Sequence, residues 1–264
     1  MTTDDPLDAF AGAAFSTRTA RRERIGRRRV HARRLARPFR AVRAFREAET
    51  VRELCGQYLP KMAPHAFFSH RTAAVLHRMW LPLPLARWMV VDVSVAKPHR
   101  APRDPRVLGH HLVPRPGLVM TTDGMRLSNP VETLCQLAVV LEDDDLVIAA
   151  ESLLTPWHEN RRSTLQRIVR AFSDPHRPDA ARLGRVLPRI RMRSRSASES
   201  RFRIQLVADG LREPAINLRW QAPDGEWFEG DLVYQRERVW IEVEGDQHRT
   251  DRRQWRKDVA RYER

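Results

Sequence analysis

The chain has 264 residues, 42% of them hydrophobic, which is enough for one large domain or for two smaller domains with separate cores. Its 48 lysines and arginines outnumber its 33 aspartates and glutamates, and the formal charge of +15 favours DNA or another nucleic acid as the partner. The sequence has neither an apolar run of about 18 residues nor an apolar signal segment, which argues against a membrane or secreted protein.

The two cysteines, Cys55 and Cys135, lie in apolar helical patterns without the paired Cys/His spacing of a zinc site. Positions of this kind usually hold buried, reduced thiols. The cysteine content therefore predicts a protein of the reducing cytoplasm.

Residues 1–49 form a basic segment. Between residues 18 and 46 arginines crowd the sequence, Glu23 is the only acid, and few residues are apolar. This composition predicts a mobile arm that becomes ordered on a polyanion. Contact between the arginines and phosphates, and a merely solvated tail, both agree with the pattern.

A mixed α/β module is predicted for residues 50–172. The periodicity indicates a half-buried strand over MVVDVSV, helices near 50–59 and 69–79, and short strands near 107–113, 117–121 and 124–128. Asn129 and Pro130 then have the residue types of a helix start, and further helices are expected over EDDDLVIAAESLL and near 163–172. The Pro- and Arg-rich run 173–195 is predicted to be a linker with room for a short helix.

The stretch FFSHRTAAVLHRMWLPLP, followed by VDVSV, GHHLV and LSNPVETLCQLAVVL, resembles part of the AbiEi-like antitoxins of type IV toxin–antitoxin systems. The resemblance covers about residues 65–155. It implies a toxin as a protein partner, whose identity the sequence does not give. Such proteins usually begin with a winged helix that reads DNA, whereas here the arginine arm takes that place.

Ser69, His70 and Arg71 match the hallmark stretch of these antitoxins. Without the resemblance, Ser69 is interpreted as an N-cap residue and His70 as a surface residue of the following helix. We expect this structural interpretation to hold.

The last seventy residues predict an α-β-β-β-α order, with a helix near 197–209, strands near 214–221, over DGEWFEGDLVY and over RVWIEVEG, and a final helix from about 250. Side chains alternate along a strand, so Glu242 and Glu244 share one face, together with Trp240. A hairpin through the turn-like residues 235–237 would bring Asp231 beside the two glutamates.

Three converging carboxylates repel one another, and such a cluster is usually retained because a cation occupies it. Oxygen ligands favour Mg²⁺ or Mn²⁺. The sequence therefore predicts a metal site formed by Asp231, Glu242 and Glu244.

The segments SASESRFRIQLVADGLREPAINLRW, GDLVY, RVWIEVEGDQHR and RRQWRKDVARYER resemble domain of unknown function 559, a group similar to very-short-patch-repair endonucleases. The wider PD-(D/E)XK superfamily uses acids on the first helix, the second strand and the third strand. By motif, these positions correspond to Glu199, Asp231 and Glu242. The resemblance thus implies a metal-dependent nuclease with these catalytic acids.

This sequence departs from the superfamily pattern at two points. Glu244 occupies the position of the superfamily's lysine, so His248 or Glu244 is the candidate to accept a proton from the attacking water. The chain also stops at Arg264, within the predicted final helix, whereas relatives continue with a strand and a further helix. An incomplete sheet with an open edge is expected.

Each candidate also has a structural interpretation. Ser196 and Glu199 fit a capping box, Glu242 and Glu244 fit a solvent-facing sheet surface, and His248 fits a cap after a turn. The aromatic Trp240 on the face of the glutamates favours metal binding over a merely polar exterior.

The sequence therefore predicts the α/β (α+β) class, with a restriction-endonuclease-like core that ends early. The expected organisation is a basic arm at 1–49, an antitoxin-like module at 50–172, a linker at 173–195 and the nuclease-like domain at 196–264. The expected function is metal-dependent cleavage of DNA in repair or defence. The alternative is a non-catalytic DNA-binding regulator or antitoxin with a decayed nuclease domain.

Overall fold

A computed structural model describes Leu7, Phe10, residues 12–157, 161–221, Gly225 and 227–243. The chain divides into an N-terminal unit of residues 1–140 with 174–179, and a C-terminal unit of residues 141–173 with 180–264. Helices and a mixed parallel and antiparallel sheet give the predicted α/β class. Within the described part of the chain, no helix is long and apolar enough to cross a membrane.

The N-terminal unit begins with two short helices and a two-stranded sheet, and continues with a five-stranded sheet and its helices. Its elements are β1 (Phe15–Ser16), α1 (Thr17–Arg22), α2 (Arg27–Val30), β2 (Val42–Arg43), α3 (Val51–Tyr58), β3 (Phe67–Phe68), α4 (His70–Leu76), α5 (Leu83–Ala86), β4 (Val91–Val95), β5 (Val107–His111), β6 (Val119–Thr122), β7 (Met125–Ser128) and α6 (Pro130–Leu137).

The basic segment is folded over its described residues, which differs from the expected mobile arm. Ser16 Oγ accepts a hydrogen bond from Thr19 N at 3.0 Å and caps α1. A small core forms from buried apolar residues at intervals of about five positions: Phe15, Ala20, Ile25, Val30 and Leu35. That spacing matches neither a helix nor a strand, so periodicity did not indicate it.

The five-stranded sheet has the order β5-β4-β3-β7-β6, with β4 parallel to β5 and antiparallel to β3. All five residues of β4 are buried, whereas the alternating pattern predicted a half-buried strand. Val91, Val93 and Val95 pack in the main core, while Asp92 and Ser94 lie in a buried polar cluster. The polar residues therefore marked a second buried face and not a solvated one.

Helix α6 starts as the sequence predicted. Asn129 Oδ1 accepts from Glu132 N at 3.0 Å, and Pro130 occupies the first helical position. Pro130 suits that position because the amide it lacks has no partner there in a helix. Cys55 and Cys135 are both free and buried, as expected.

Over its described residues, the C-terminal unit contains four α-helices and a three-stranded antiparallel sheet of order β10-β9-β8. Its elements are α7 (Asp143–Glu151), α8 (Arg161–Phe172), α9 (Ala180–Val186), α10 (Ala197–Ala208), β8 (Ala215–Gln221), β9 (Trp227–Tyr234) and β10 (Val239–Ile241). The predicted α-β-β-β order is present from α10 to β10. The expected final helix lies outside the described residues.

Helices α7 and α8 belong to this unit, although the sequence assigned residues 141–172 to the antitoxin-like module. The fully buried Glu151 explains the difference. Its carboxylate accepts from Arg203 Nη2 at 2.6 Å, from Ser200 Oγ at 2.6 Å and from Ser194 Oγ at 3.2 Å. These bonds tie α7 to α10 and to the residues before it, and the local pattern of α7 contains no sign of them.

Candidate functional site

Strand β9 holds Asp231 between two neighbouring strands. The last pair of the β9–β10 hairpin is Ile241 with Leu232, and Glu242 and Asp231 are the residues that come next on each side. Asp231 Oδ2 accepts from Val243 N at 2.8 Å, which holds the end of the hairpin closed. Asp231 and Glu242 thus lie just beyond the last pair of the hairpin, and their convergence on one metal ion stays a prediction.

Asn217 lies on β8, the strand on the other side of β9. The pairs Ile216–Leu232 and Leu218–Gly230 flank it, and the ladder contains no pair between them. Asn217 is 1% exposed, and its φ of 47° lies in the left-handed region. Asn217 therefore lies at a break in the ladder of β8 and β9.

Glu199 of α10 is bonded to strand β8 through Asn217, whose Nδ2 donates to Glu199 Oε2 at 2.8 Å. The same carboxylate accepts from Arg195 N at 2.8 Å and from Ser196 Oγ at 3.0 Å, while Ser196 Oγ accepts from Glu199 N at 3.1 Å. Glu199 thus caps α10, through the amide that precedes the N-cap residue and not through that of Ser196 itself. The cap and the link to β8 coexist in one side chain.

Glu244 and His248, the two remaining predicted site residues, lie outside the described part of the chain. Among the residues that the structure describes, no three His, Cys, Asp or Glu side chains are grouped closely enough to hold a metal ion. Among the described residues, the candidate oxygen ligands for a metal ion are the carboxylates of Asp231 and Glu242 and the amide oxygen of Asn217. These hard ligands fit Mg²⁺ or Mn²⁺ in kind.

A second candidate site is the positively charged surface of the basic segment. Helix α2 exposes Arg27, Arg28 and Arg29 on consecutive positions. Desolvation and then the charge of Arg43, followed by those of three further arginines, lower the pKa of the exposed His31. The arginines thus produce a positive field of the kind that phosphates neutralise.

An open depression of about 470 Å³ lies beside this surface. It is lined mainly by arginines and one aromatic ring: Arg33, Arg34, Arg37, Arg46 and Phe45 with Leu35, Ala36 and Glu47. Its walls carry the charge that an anionic ligand needs.

The Ser69-His70-Arg71 stretch is buried: Ser69 is the N-cap residue of α4 as expected but without the expected side-chain bond, and the surface position expected for His70 was wrong. Ser69 Oγ makes no capping bond; it accepts from Ser94 Oγ at 2.6 Å and lies 3.0 Å from His70 Nδ1. His70 is 6% exposed, has a φ of 48° and stacks on His110 at 3.9 Å between ring centroids. Neither residue lies on the surface.

Asp92 is the centre of this cluster. Arg71 Nε and Nη2 each donate to its carboxylate at 3.1 Å, and His110 Nε2 lies 2.8 Å from Oδ1. Desolvation raises the pKa of Asp92, but hydrogen bonds from His110 and Arg71 outweigh it and hold that pKa below the usual range. The Arg71 guanidinium also covers the Trp88 ring at 3.7 Å.

The buried cluster has hydroxyl, imidazole and carboxylate groups but no access for a substrate to its serines, since Ser69 and Ser94 are both 0% exposed. Desolvation, with the charge of His110 second, lowers the pKa of His70 to about 4. A neutral His70 at pH 7 fits a packed interior. The cluster therefore fastens β3 and α4 to β4 and β5.

Three residues of these sites were missed from the sequence. Asp92 and Ser94 alternate with valines in VDVSV, and that alternation could have indicated a polar buried face as well as a solvated one. Asn217 carried no signal, because a single asparagine in a strand pattern usually marks an edge or a turn. Comparisons with family models, with curated proteins and with solved structures find no match to this chain.

Proposed function

We propose that the protein acts on DNA, and that its C-terminal unit is a divalent-metal-dependent endonuclease similar to the domain 559 and very-short-patch-repair group. The observation that carries the proposal is the arrangement of the three acids: Asp231 and Glu242 flank the Leu232–Ile241 pair of the hairpin, and Glu199 of α10 is bonded to β8 through Asn217. A helix acid and two strand acids in this order are what the superfamily motif requires.

Asp231 and Glu242 would hold Mg²⁺ or Mn²⁺ through their carboxylates. When bound, such a cation neutralises charge on the scissile phosphate and lowers the pKa of water. Glu242 is exposed and Asp231 half-buried, so a phosphate can approach both residues from solvent. Glu244 and His248 remain candidates for the acceptor of the proton from water.

The exposed arginines of α2 would supply affinity for the DNA backbone. Each guanidinium that neutralises a phosphate releases condensed counterions, which makes binding strongly dependent on salt. This contribution is independent of DNA sequence, so it accounts for binding but not for target choice.

A second function, a non-catalytic DNA-binding regulator or antitoxin, is favoured by the bonding of Glu199. Its carboxylate already accepts three hydrogen bonds, from Arg195, Ser196 and Asn217. A carboxylate so fully bonded is a good helix cap but has little capacity left for a ligand. In this alternative the arginines still bind DNA, and a toxin remains the candidate protein partner.

Cleavage of plasmid DNA in Mn²⁺ and in chelator distinguishes the two functions. We expect cleavage only with the metal, and we expect Asp231→Asn to reduce its rate by at least about a hundredfold, because a preorganised charge is lost. Glu237→Gln removes the same charge in the exposed hairpin turn, where Glu237 pairs with Arg212, and is the matched control. Salt-dependent DNA binding without any cleavage would support the regulator. Undiminished cleavage by Asp231→Asn would show that the catalytic site does not include Asp231.

A further inference from the structure

The open depression of the basic segment has an aromatic ring in its wall, which distinguishes it from a flat basic surface. Its volume of about 470 Å³ lies within the range of about 300–1,000 Å³ that is usual for small-molecule sites. The ring is that of Phe45, which is 38% exposed. The phosphates of a duplex need only a basic surface, whereas a depression with an exposed ring can also receive a flat, uncharged group.

Packing and backbone hydrogen bonds hold the Phe45 ring in place. Its centroid lies 6.3 Å from that of Phe15, a ring of the small N-terminal core that is 2% exposed. Two backbone hydrogen bonds between Ala36 and Ala44, at 2.9 and 3.1 Å, join the two chain segments that line the depression. The exposed part of the ring is therefore fixed before a ligand binds, which reduces the entropy that binding costs.

Two charged residues of the wall already have partners. Arg46 donates to Glu53 through Nη1 at 3.0 Å and through Nη2 at 2.6 Å. Glu47, the acid among the described residues that line the depression, pairs with Arg106 at 3.5 Å. A phosphate that enters the depression thus meets no unpaired carboxylate in the described part of its wall.

Arg33 and Arg37 supply positive charge to the same wall. Both are exposed, and neither forms an ion pair with a residue that the structure describes. Arg37 Nη2 donates to the carbonyl oxygen of His31 at 3.4 Å, which orients the guanidinium and uses only part of its capacity to donate. Guanidinium groups bind phosphate oxygens through paired N–H groups. The depression therefore combines donors for a phosphate with a ring for a flat group.

We propose that this depression binds a single phosphorylated nucleotide, with its base against the Phe45 ring and its phosphate on Arg33 and Arg37. Every nucleobase has a flat π face, so stacking on the ring accepts any base and adds affinity to the charge contact. The bases of a duplex are stacked on one another and do not reach the ring. The ligand is either a free nucleotide or an unpaired nucleotide of a DNA strand. This inference does not depend on the metal site proposed for the C-terminal unit.

Calorimetric titration of the full chain with adenosine 5′-monophosphate and with inorganic phosphate tests both contacts. We expect the monophosphate to bind at least about fivefold more tightly, the low end of the contribution of base stacking. Phe45→Leu keeps an apolar contact with Phe15 but removes the ring, and should abolish this difference, whereas Phe45→Trp should retain it. Arg33→Gln with Arg37→Gln should weaken the binding of both ligands. Arg40→Gln removes an exposed arginine that does not line the depression and should change neither.

A single strand and a duplex of the same sequence distinguish the two sources of the nucleotide. Displacement of the monophosphate by the single strand but not by the duplex assigns the depression to an unpaired nucleotide of DNA, and resistance to both assigns it to a free nucleotide. Equal displacement by the duplex would show that the depression binds backbone phosphates alone, and would overturn the proposal. Undiminished binding of the monophosphate by Phe45→Leu, or no uptake of it by the wild type, would also overturn it.

Discussion

Asp92 in the N-terminal unit and Asp231 in the C-terminal unit both project from strands, yet their neighbours differ in charge. Arg71 donates twice to Asp92, and His110 and Thr72 also contact it, so its charge is balanced inside the protein. Asp231 and the acidic Glu242 flank the last pair of the hairpin, and in the described part of the chain no arginine or lysine forms an ion pair with Asp231. An acid with cations built around it stabilises a fold, whereas one beside another acid favours a cation from solution.

The largest expected effect on stability comes from a substitution that breaks the buried ion pair of Asp92 with Arg71. Asp92→Asn removes the charge that Arg71 faces, and Arg71 is 5% exposed, so an uncompensated guanidinium would remain buried. We expect a loss of about 3–5 kcal/mol in the free energy of unfolding, measured by urea denaturation. Asp123→Asn breaks the exposed pair with Arg52 and should cost no more than about 1 kcal/mol. Equal losses in the two variants would contradict the role given to Asp92.

The same cluster predicts a dependence of stability on pH. The pKa of His70 is lowered from 6.5 to about 4 in the folded state, so the unfolded chain takes up its proton first as the pH falls. Stability that is complete above pH 6.5 is therefore lost between pH 6.5 and 4, by about 3 kcal/mol at most.

His70→Asn tests this dependence, because asparagine suits the left-handed φ of 48° and does not titrate. Urea denaturation at pH 7 and at pH 4.5 should show a smaller loss of stability in this variant than in the wild type. His111→Gln, at an exposed position of β5, controls for the loss of an imidazole. An unchanged loss in His70→Asn would mean that other groups cause the acid sensitivity.

The contribution of the basic surface to DNA binding is tested by varying the salt concentration. Replacing Arg27, Arg28 and Arg29 by glutamine should reduce the slope of log K against log salt concentration by about 2–3 units, since each phosphate contact contributes about 0.9. Fluorescence anisotropy with duplex DNA measures that slope. Arg100→Gln with Arg103→Gln removes exposed charge from another loop and should change the slope less. If the α2 substitutions leave the slope unchanged, this surface does not contribute to DNA binding.

The smallest effect concerns Glu199. Its bonds to Arg195 N and Ser196 Oγ are those of a cap, so Glu199→Gln should cost about 1 kcal/mol of stability, the usual size of a capping contribution. Thermal denaturation measures the loss. A large fall in DNA cleavage with normal stability would instead assign Glu199 to catalysis.

Local pattern predicted most elements but not the contacts between distant ones. The α-β-β-β order followed from strand alternation and one hairpin, because these are properties of neighbouring residues, while the convergence of Asp231 and Glu242 stays a prediction. The small core around Ile25 was missed, since its spacing of about five residues has no standard period. The assignment of α7 to the C-terminal unit depends on Glu151 and Arg203, which are 52 positions apart. Asn217 was missed because its hydrogen bonds are to two distant residues, Arg193 and Glu199.

Mn²⁺ titration of the wild type and of Asp231→Asn tests the central claim most directly. The proposed site predicts one Mn²⁺ bound per wild-type chain, and its loss or strong weakening in Asp231→Asn, while Glu237→Gln binds as the wild type does. The same stoichiometry and affinity in Asp231→Asn, or no uptake by the wild type, would contradict a cation site at Asp231 and Glu242.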